Sequence, residues 1–255
     1  MTPLAIREQL LPLAQNAEMR EYIRVHAKRF GYILGIVTKL RTQISAPSIR
    51  ILDVGPSFFT KLLMDTFTGD EIWSLGFMHE EALGGHLSSE IAKSIRNFIS
   101  FDLNDAYFRP KWVTPPPCDL IVAAEVIEHL YTSPVQVFRF FNSFLTPGGY
   151  LVVSTPNAVT LRNRILICLG KNPFELIRET RDNPGHYREY TGEELVSLGQ
   201  KAELHTVALY YENYFEKFSF RGKLVDAITR YLLPHSFRTG LTIVYQKKST
   251  DAIYP

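Results

Sequence analysis

Near the middle of the chain, Glu125, Glu128 and His129 stand at i, i+3 and i+4. A helix over 125–131 would put all three on one face. Two carboxylates and an imidazole so placed could hold a divalent cation or act as a general base. The plainer alternative leaves Glu128 in solvent and His129 packed. A second locus is the apolar run Ile51-Leu52-Asp53-Val54-Gly55. An acid at a strand's end with glycine close by lets backbone approach a small ligand over the carboxyl ends of the strands. Many ordinary strand-to-turn exits share that pattern, so its weight comes from the regularly spaced strands and helices downstream of it.

The elements that must position these groups are read from periodicity. Candidate strands at 50–54, 71–77, 97–101, 118–123 and 149–154 alternate with helical patterns at 59–67, 80–95, 125–131 and 134–145. Such alternation predicts an α/β fold with a doubly wound, mostly parallel sheet. Segments 205–212 and 240–246 would be antiparallel strands finishing it at seven. Pro115, Pro116 and Pro117 exclude regular structure just before the fourth strand. Ahead of the sheet, residues 1–47 read as a cap of two or three helices, with Gly31 and Gly35 placed to interrupt the second. Plain packing and contact with substrate both fit this cap. The α/β domain then spans 48–250, with insertions at about 158–190 and 213–238. Long connections at such positions tend to be lids or substrate-binding elements. The first holds a helix-like piece, Leu161 to Leu169. The second carries an apolar stripe through Leu224, Val225, Ile228 and Tyr231. That stripe fits core packing first, then a second subunit or a lipid surface.

Composition narrows the class. The chain has 255 residues, 45% hydrophobic and 21% charged, which suits a globular protein with a sizeable core. A formal charge of +2 gives no electrostatic reason to expect bulk nucleic-acid binding. Cys118 and Cys168 lack metal-site spacing and read as buried reduced thiols of a cytoplasmic protein. No apolar run approaches the ~20 residues that span a bilayer. No Ser-His-Asp order, phosphate loop or Cys-x-x-Cys pair occurs.

Four stretches together resemble the class I S-adenosylmethionine-dependent methyltransferases. They are Ile51 to Gly55, Phe101-Asp102-Leu103-Asn104, Asp119 to Leu130 with its Glu-x-x-Glu-His pattern, and Leu145 to Asn157. His186 and Tyr190-Thr191, followed by Glu193, Glu194 and Leu195, also look like a segment common in this family. The resemblance covers roughly 48–200 and implies S-adenosylmethionine as cofactor. It places Asp53, Gly55 and the neighbouring Ser57 at the methionine end, Asp102 at the adenine amino group and Leu103 beside the ring. Ala124 and Glu125 would flank the sulfonium. Two departures stand out. Ser57 and Phe59 occupy positions that are usually glycine, where side chains would crowd a ligand unless the loop takes another path. Met78 stands where the family has an acid for the ribose, with Glu80 or Glu81 as substitutes.

The Glu125, Glu128 and His129 pattern also resembles that of metal-dependent O-methyltransferases. There a further histidine downstream of the fifth strand completes the site, and His186 is its counterpart here. The resemblance thus implies His129, Glu125 and His186 as catalytic groups. It also implies a cation such as magnesium on Glu125, Glu128, His129 and His186. A loop histidine that caps the following helix is the alternative for His186. The expected function is O-methylation of a small-molecule acceptor: a sugar, a lipid-linked intermediate or a secondary metabolite. The alternatives are a non-catalytic methyltransferase-like scaffold, suggested by Ser57, Phe59 and Met78, and RNA 3′-end methylation.

Overall fold

The computed structural model describes residues 1–76, 87–179, 185–215 and 219–249. Helices α1 (Pro3–Leu10) and α2 (Ala17–Gln43) precede the sheet. The body then runs β1 (Arg50–Val54), α3 (Phe58–Thr66), β2 (Glu71–Gly76), α4 (Ser89–Ser94), β3 (Asn97–Ser100), β4 (Cys118–Ala124), α5 (Pro134–Phe144) and β5 (Leu145–Pro156). After it come α6 (Leu161–Cys168), α7 (Gly192–Lys201), β6 (Leu204–Glu212), α8 (Phe220–Tyr231) and β7 (Gly240–Lys247).

The strands form one seven-stranded sheet in the order β3-β2-β1-β4-β5-β7-β6. Only β7 runs antiparallel to its neighbours β5 and β6. The expected doubly wound, mostly parallel sheet is therefore what the chain forms. Its order reverses between β1 and β4, and in open α/β sheets the carboxyl ends of the strands at such a reversal are where ligands bind.

Side-chain alternation explains the two layers. In β4, Leu120 and Val122 point to one face, while Ile121 and Ala123 point to the other. The first face is covered by α2, α3 and α4, through Phe30, Val37, Phe59 and Leu62. The second is covered by α5 and α7, through Phe138, Phe141 and Leu195. Helix α2 thus packs directly against the sheet.

Several expectations change in detail. Gly31 and Gly35 do not interrupt α2, which runs unbroken for 27 residues from an Asn16 cap. Gly31 instead gives α1 room: a Cβ there would lie 3.1 Å from Ile6 Cδ1. The helix expected over 125–131 is absent. Glu125 has φ 56, and only a 3-10 turn follows at Ile127–His129. The fifth strand begins earlier than expected because it bulges against β4 between Cys118 and Leu120. Gly148 (φ 77) and Gly149 make that turn, and a Cβ on Gly149 would sit 2.9 Å from the Asp119 carbonyl. Cys118 is buried but Cys168 is exposed. The start of the helix expected at 80–95 and residues Met78, Glu80 and Glu81 lie outside the described residues. No helix among the described residues is long and apolar enough to cross a membrane.

Candidate functional site

The loop after β1 is shaped by a capping box rather than by glycines. Ser57 caps α3, accepting from Phe59 N, while Thr60 Oγ1 accepts from Ser57 N at 2.8 Å. Thr60 Oγ1 also donates to Asp53 Oδ2 at 2.5 Å. Asp53 is buried, which pushes its carboxyl up to about 7 against the opposing hydrogen bond from Thr60. Gly55 has φ 80, a left-handed conformation that favours glycine, and its N–H donates to Leu75 O of β2. Phe59 is turned into the core. It is buried on α3 with its ring 5.9 Å from that of Phe30.

Just after β3, Asp102 caps the 3-10 turn Leu103–Tyr107 by accepting from Asn104 N at 2.8 Å. Leu103 is buried in the core face behind it. Asn104 Oδ1 accepts from Tyr131 N at 3.0 Å, which ties this turn to the segment after β4.

At the end of β4, Ala124 pairs with Ser154 of β5, and Glu125 turns away in the left-handed region. Both Glu125 carboxylate oxygens are engaged. Ser154 Oγ donates to Oε1 at 3.0 Å, and Arg29 Nη1 lies 3.0 Å from Oε2. Arg29 comes from α2 and is 4% exposed, with Nη2 donating to the Tyr22 hydroxyl at 3.0 Å. Burial opposes its charge, but Glu125 and Tyr22 outweigh burial and keep the guanidinium protonated.

Three groups meet beside this pair. One ligand atom each from Glu128, His129 and His186 falls within 4.8 Å of the others. Glu128 is fully buried. Thr155 Oγ1 donates to its Oε2 at 3.0 Å, and its Oε1 has no hydrogen-bond partner. Burial first, and Glu125 second, push this carboxyl well above the usual range. Tyr187 and Arg188 N–H groups donate to the Glu128 carbonyl, docking the end of the first insertion on the 3-10 turn. His129 Nδ1 lies 2.9 Å from Gly185 O, and a carbonyl only accepts, so Nδ1 carries the proton and Nε2 keeps its lone pair. Burial, and then His186, lower the His129 pKa and hold the ring neutral. The two imidazoles lie 4.9 Å apart, edge to face, and His186 Nδ1 points to Glu189 at 3.2 Å.

Of the four residues expected around a cation, the structure brings together Glu128, His129 and His186. Glu125 stands apart because the 3-10 turn replaces the helix that would have aligned it and because its oxygens serve Arg29 and Ser154. His186 does not cap the following helix; Thr191 does. Tyr190 is core, while Arg188 faces solvent and pairs with Glu194. Sequence reasoning missed Arg29. Its signal was a cation on the same helical stripe as Tyr22 and Ile33, a stripe otherwise given to the core.

Comparison with known proteins settles the family. Residues 63–209, more than half of the chain, match the family model described as "Methyltransferase domain". The chain belongs to the methyltransferase-domain family. Its seven-stranded sheet is the class I methyltransferase fold. Over 131 residues the chain is 31% identical to a Mycolicibacterium smegmatis protein named "Probable S-adenosylmethionine-dependent methyltransferase". The match takes in 50% of this chain but only 42% of that protein. Among solved structures, a SAM-dependent methyltransferase from Archaeoglobus fulgidus superposes with a TM-score of 0.52 at 15% identity, over 84% of this chain and 94% of that one. Magnesium protoporphyrin IX methyltransferase from Synechocystis PCC 6803, with bound SAH, superposes with a TM-score of 0.55 at 10% identity, over 94% of both chains. Likeness at that identity speaks for the fold.

Proposed function

We propose that this methyltransferase methylates a hydroxyl of a small-molecule acceptor, with Glu128, His129 and His186 holding a divalent cation at the carboxyl end of β4. The observation that carries the metal is the buried, unpartnered Glu128 Oε1 beside two imidazoles whose Nδ1 atoms are already oriented by Gly185 O and Glu189. One carboxylate and two histidines, each histidine fixed through its other nitrogen, is a donor set that suits a divalent metal. Burial favours the uncharged form of this carboxyl, and a bound cation would favour the carboxylate.

The loop after β1 supports a cofactor site at the carboxyl ends of the strands. Gly55 keeps backbone close there, Phe59 is turned into the core, and Asp53 stands buried behind the loop. In this reading Asp53, Gly55 and Ser57 line the methionine end of the cofactor, Asp102 and Leu103 its adenine, and Ala124 and Glu125 the region of the transferable methyl. S-adenosylmethionine supplies an electrophilic methyl group, and a divalent cation supplies Lewis acidity to the acceptor hydroxyl. The chain's own part is alignment, exclusion of water and release of one proton. With a cation held, His129 would spend its Nε2 lone pair on that ion, and the proton of the hydroxyl would leave to solvent. In a metal-free site the same Nε2 is the group suited to take it. Glu125, clamped by Arg29 and Ser154, fixes the backbone turn from which Glu128 and His129 project.

Calorimetric titration with manganese or magnesium tests the metal. The wild-type protein is expected to bind one ion saturably, and Glu128→Gln or His186→Ala to lose that binding while still binding S-adenosylhomocysteine. If wild-type protein ignores both ions, the cluster is metal-free and His129 alone serves as base.

A further inference from the structure

The two insertions expose apolar side chains that the core does not use. Among the described residues, eleven of the eighteen exposed large hydrophobics fall within 161–179 and 219–238. Ile165 and Ile167 of α6 are 50% and 55% exposed, and Leu176 just beyond it is 85% exposed. On α8, Phe220 is 82% and Leu224 51% exposed, with Leu232 following at 77%. The stripe expected to pack in the core therefore largely faces outward.

Both insertions rise from one edge of the sheet. Pro156 of β5 and Glu212 of β6 each pair with Gly240 of β7, so 157 and 213 leave the sheet side by side. Asn157 Nδ2 donates to the Ser236 and Arg238 carbonyls, and Arg238 Nη2 donates to Arg230 O of α8. The Arg164 guanidinium of α6 lies 4.5 Å over the Phe237 ring. The roots of the two insertions are thus tied together, and β5 brings them up at the same end of the sheet as Glu128 and His129.

Charge says what covers this face. Residues 161–179 hold four Arg or Lys against two Glu, and 219–238 hold four against one Asp, although the whole chain is only +2. Lys171, Arg221 and Lys223 are exposed among the apolar side chains. A second copy laid face to face would oppose like charges, whereas an anionic bilayer surface complements them. Exposed leucines and aromatics interspersed with Lys and Arg are the make-up of interfacial segments.

We propose that α6 with the segment after it and α8 dock the protein on an anionic lipid surface, which sets the catalytic site against that surface. That the acceptor is then lipid-borne rests on the methyl-transfer reading above; the docking itself does not. Co-sedimentation of the full chain with vesicles, without cofactor or acceptor, tests docking alone. Binding is expected to phosphatidylcholine vesicles that contain phosphatidylglycerol, with at least tenfold less binding to pure phosphatidylcholine and release by salt. Leu176→Glu combined with Leu224→Glu is expected to cut binding at least tenfold with unchanged circular dichroism. Lys171→Glu with Lys223→Glu, which touches no packing, should act in the same direction. The proposal is overturned by equal sedimentation of parent and charge-reversed protein, or by no sedimentation with either vesicle. It is also overturned by a concentration-dependent dimer that Leu176→Glu with Leu224→Glu dissociates. Titration with S-adenosylhomocysteine, run separately, reports on the enzyme reading whatever the vesicles show.

Discussion

Arg29 and Glu125 meet with side chains 5% and 11% exposed, so removing either partner strands the other away from water. Arg29→Met is expected to cost about 3–5 kcal/mol in urea unfolding. Adding Glu125→Gln should recover part of that loss, and a coupling indistinguishable from zero in the double-mutant cycle would contradict the pairing. Asp53 offers a pH signature. Its folded pKa of about 7 lies above the unfolded 3.8, so the folded state holds a proton that the unfolded chain has already released. Stability should fall as pH rises through that window, with the full penalty remaining above it. Asp53→Asn without ligand should then gain on the parent as pH rises from 4 to 7, by at most roughly 4 kcal/mol. Denaturant unfolding across pH checks it, and a pH-independent difference would rule it out. The residue types at this site were legible: Asp53, Gly55, Glu128, His129 and His186 all announce chemistry by type and order. Arg29 was not, because nothing local reveals that a cation on an apolar stripe will find its carboxylate across the fold.

At the scale of elements, the departure that matters is the turn after β4. Spacing of i, i+3 and i+4 describes one face only if a helix forms, and here the chain leaves β4 through a left-handed residue into a single 3-10 turn. Hydrogen bonds from Tyr187 and Arg188 to the Glu128 carbonyl, and from His129 to Gly185, come from a distant insertion and outweigh local periodicity. The histidine pair was therefore readable as a resemblance and not as helical geometry. In α2 the misreading was of a different kind. Two glycines lower helix propensity, but the buried face of Ile23, Phe30, Ile33 and Val37 carries the helix through them. Gly35 is exposed with nothing within 4 Å of an added Cβ, whereas Gly31 is pressed by α1. Gly35→Ala should stabilise by about 0.5–1 kcal/mol. Gly31→Ala should give no such gain, because its methyl group must displace Ile6. Thermal unfolding of the two variants separates the effects.

For the whole molecule, strand periodicity and alternation with helices were enough to predict a seven-stranded, mostly parallel sheet with an antiparallel finish. Each buried strand is apolar on both faces, and each crossover is long enough for a helix. The surface of the insertions was not readable in that way. An apolar stripe looks the same whether it meets core or lipid until its exposure is seen. The central claim is that the loop from Asp53 to Thr60, with a capping box where glycines are usual, still cradles the cofactor. Calorimetric titration of the full chain with S-adenosylhomocysteine tests it most directly. Saturable one-to-one binding, weakened by Asp102→Ala, is the predicted result. A folded protein that takes up no S-adenosylhomocysteine at any accessible concentration would contradict it.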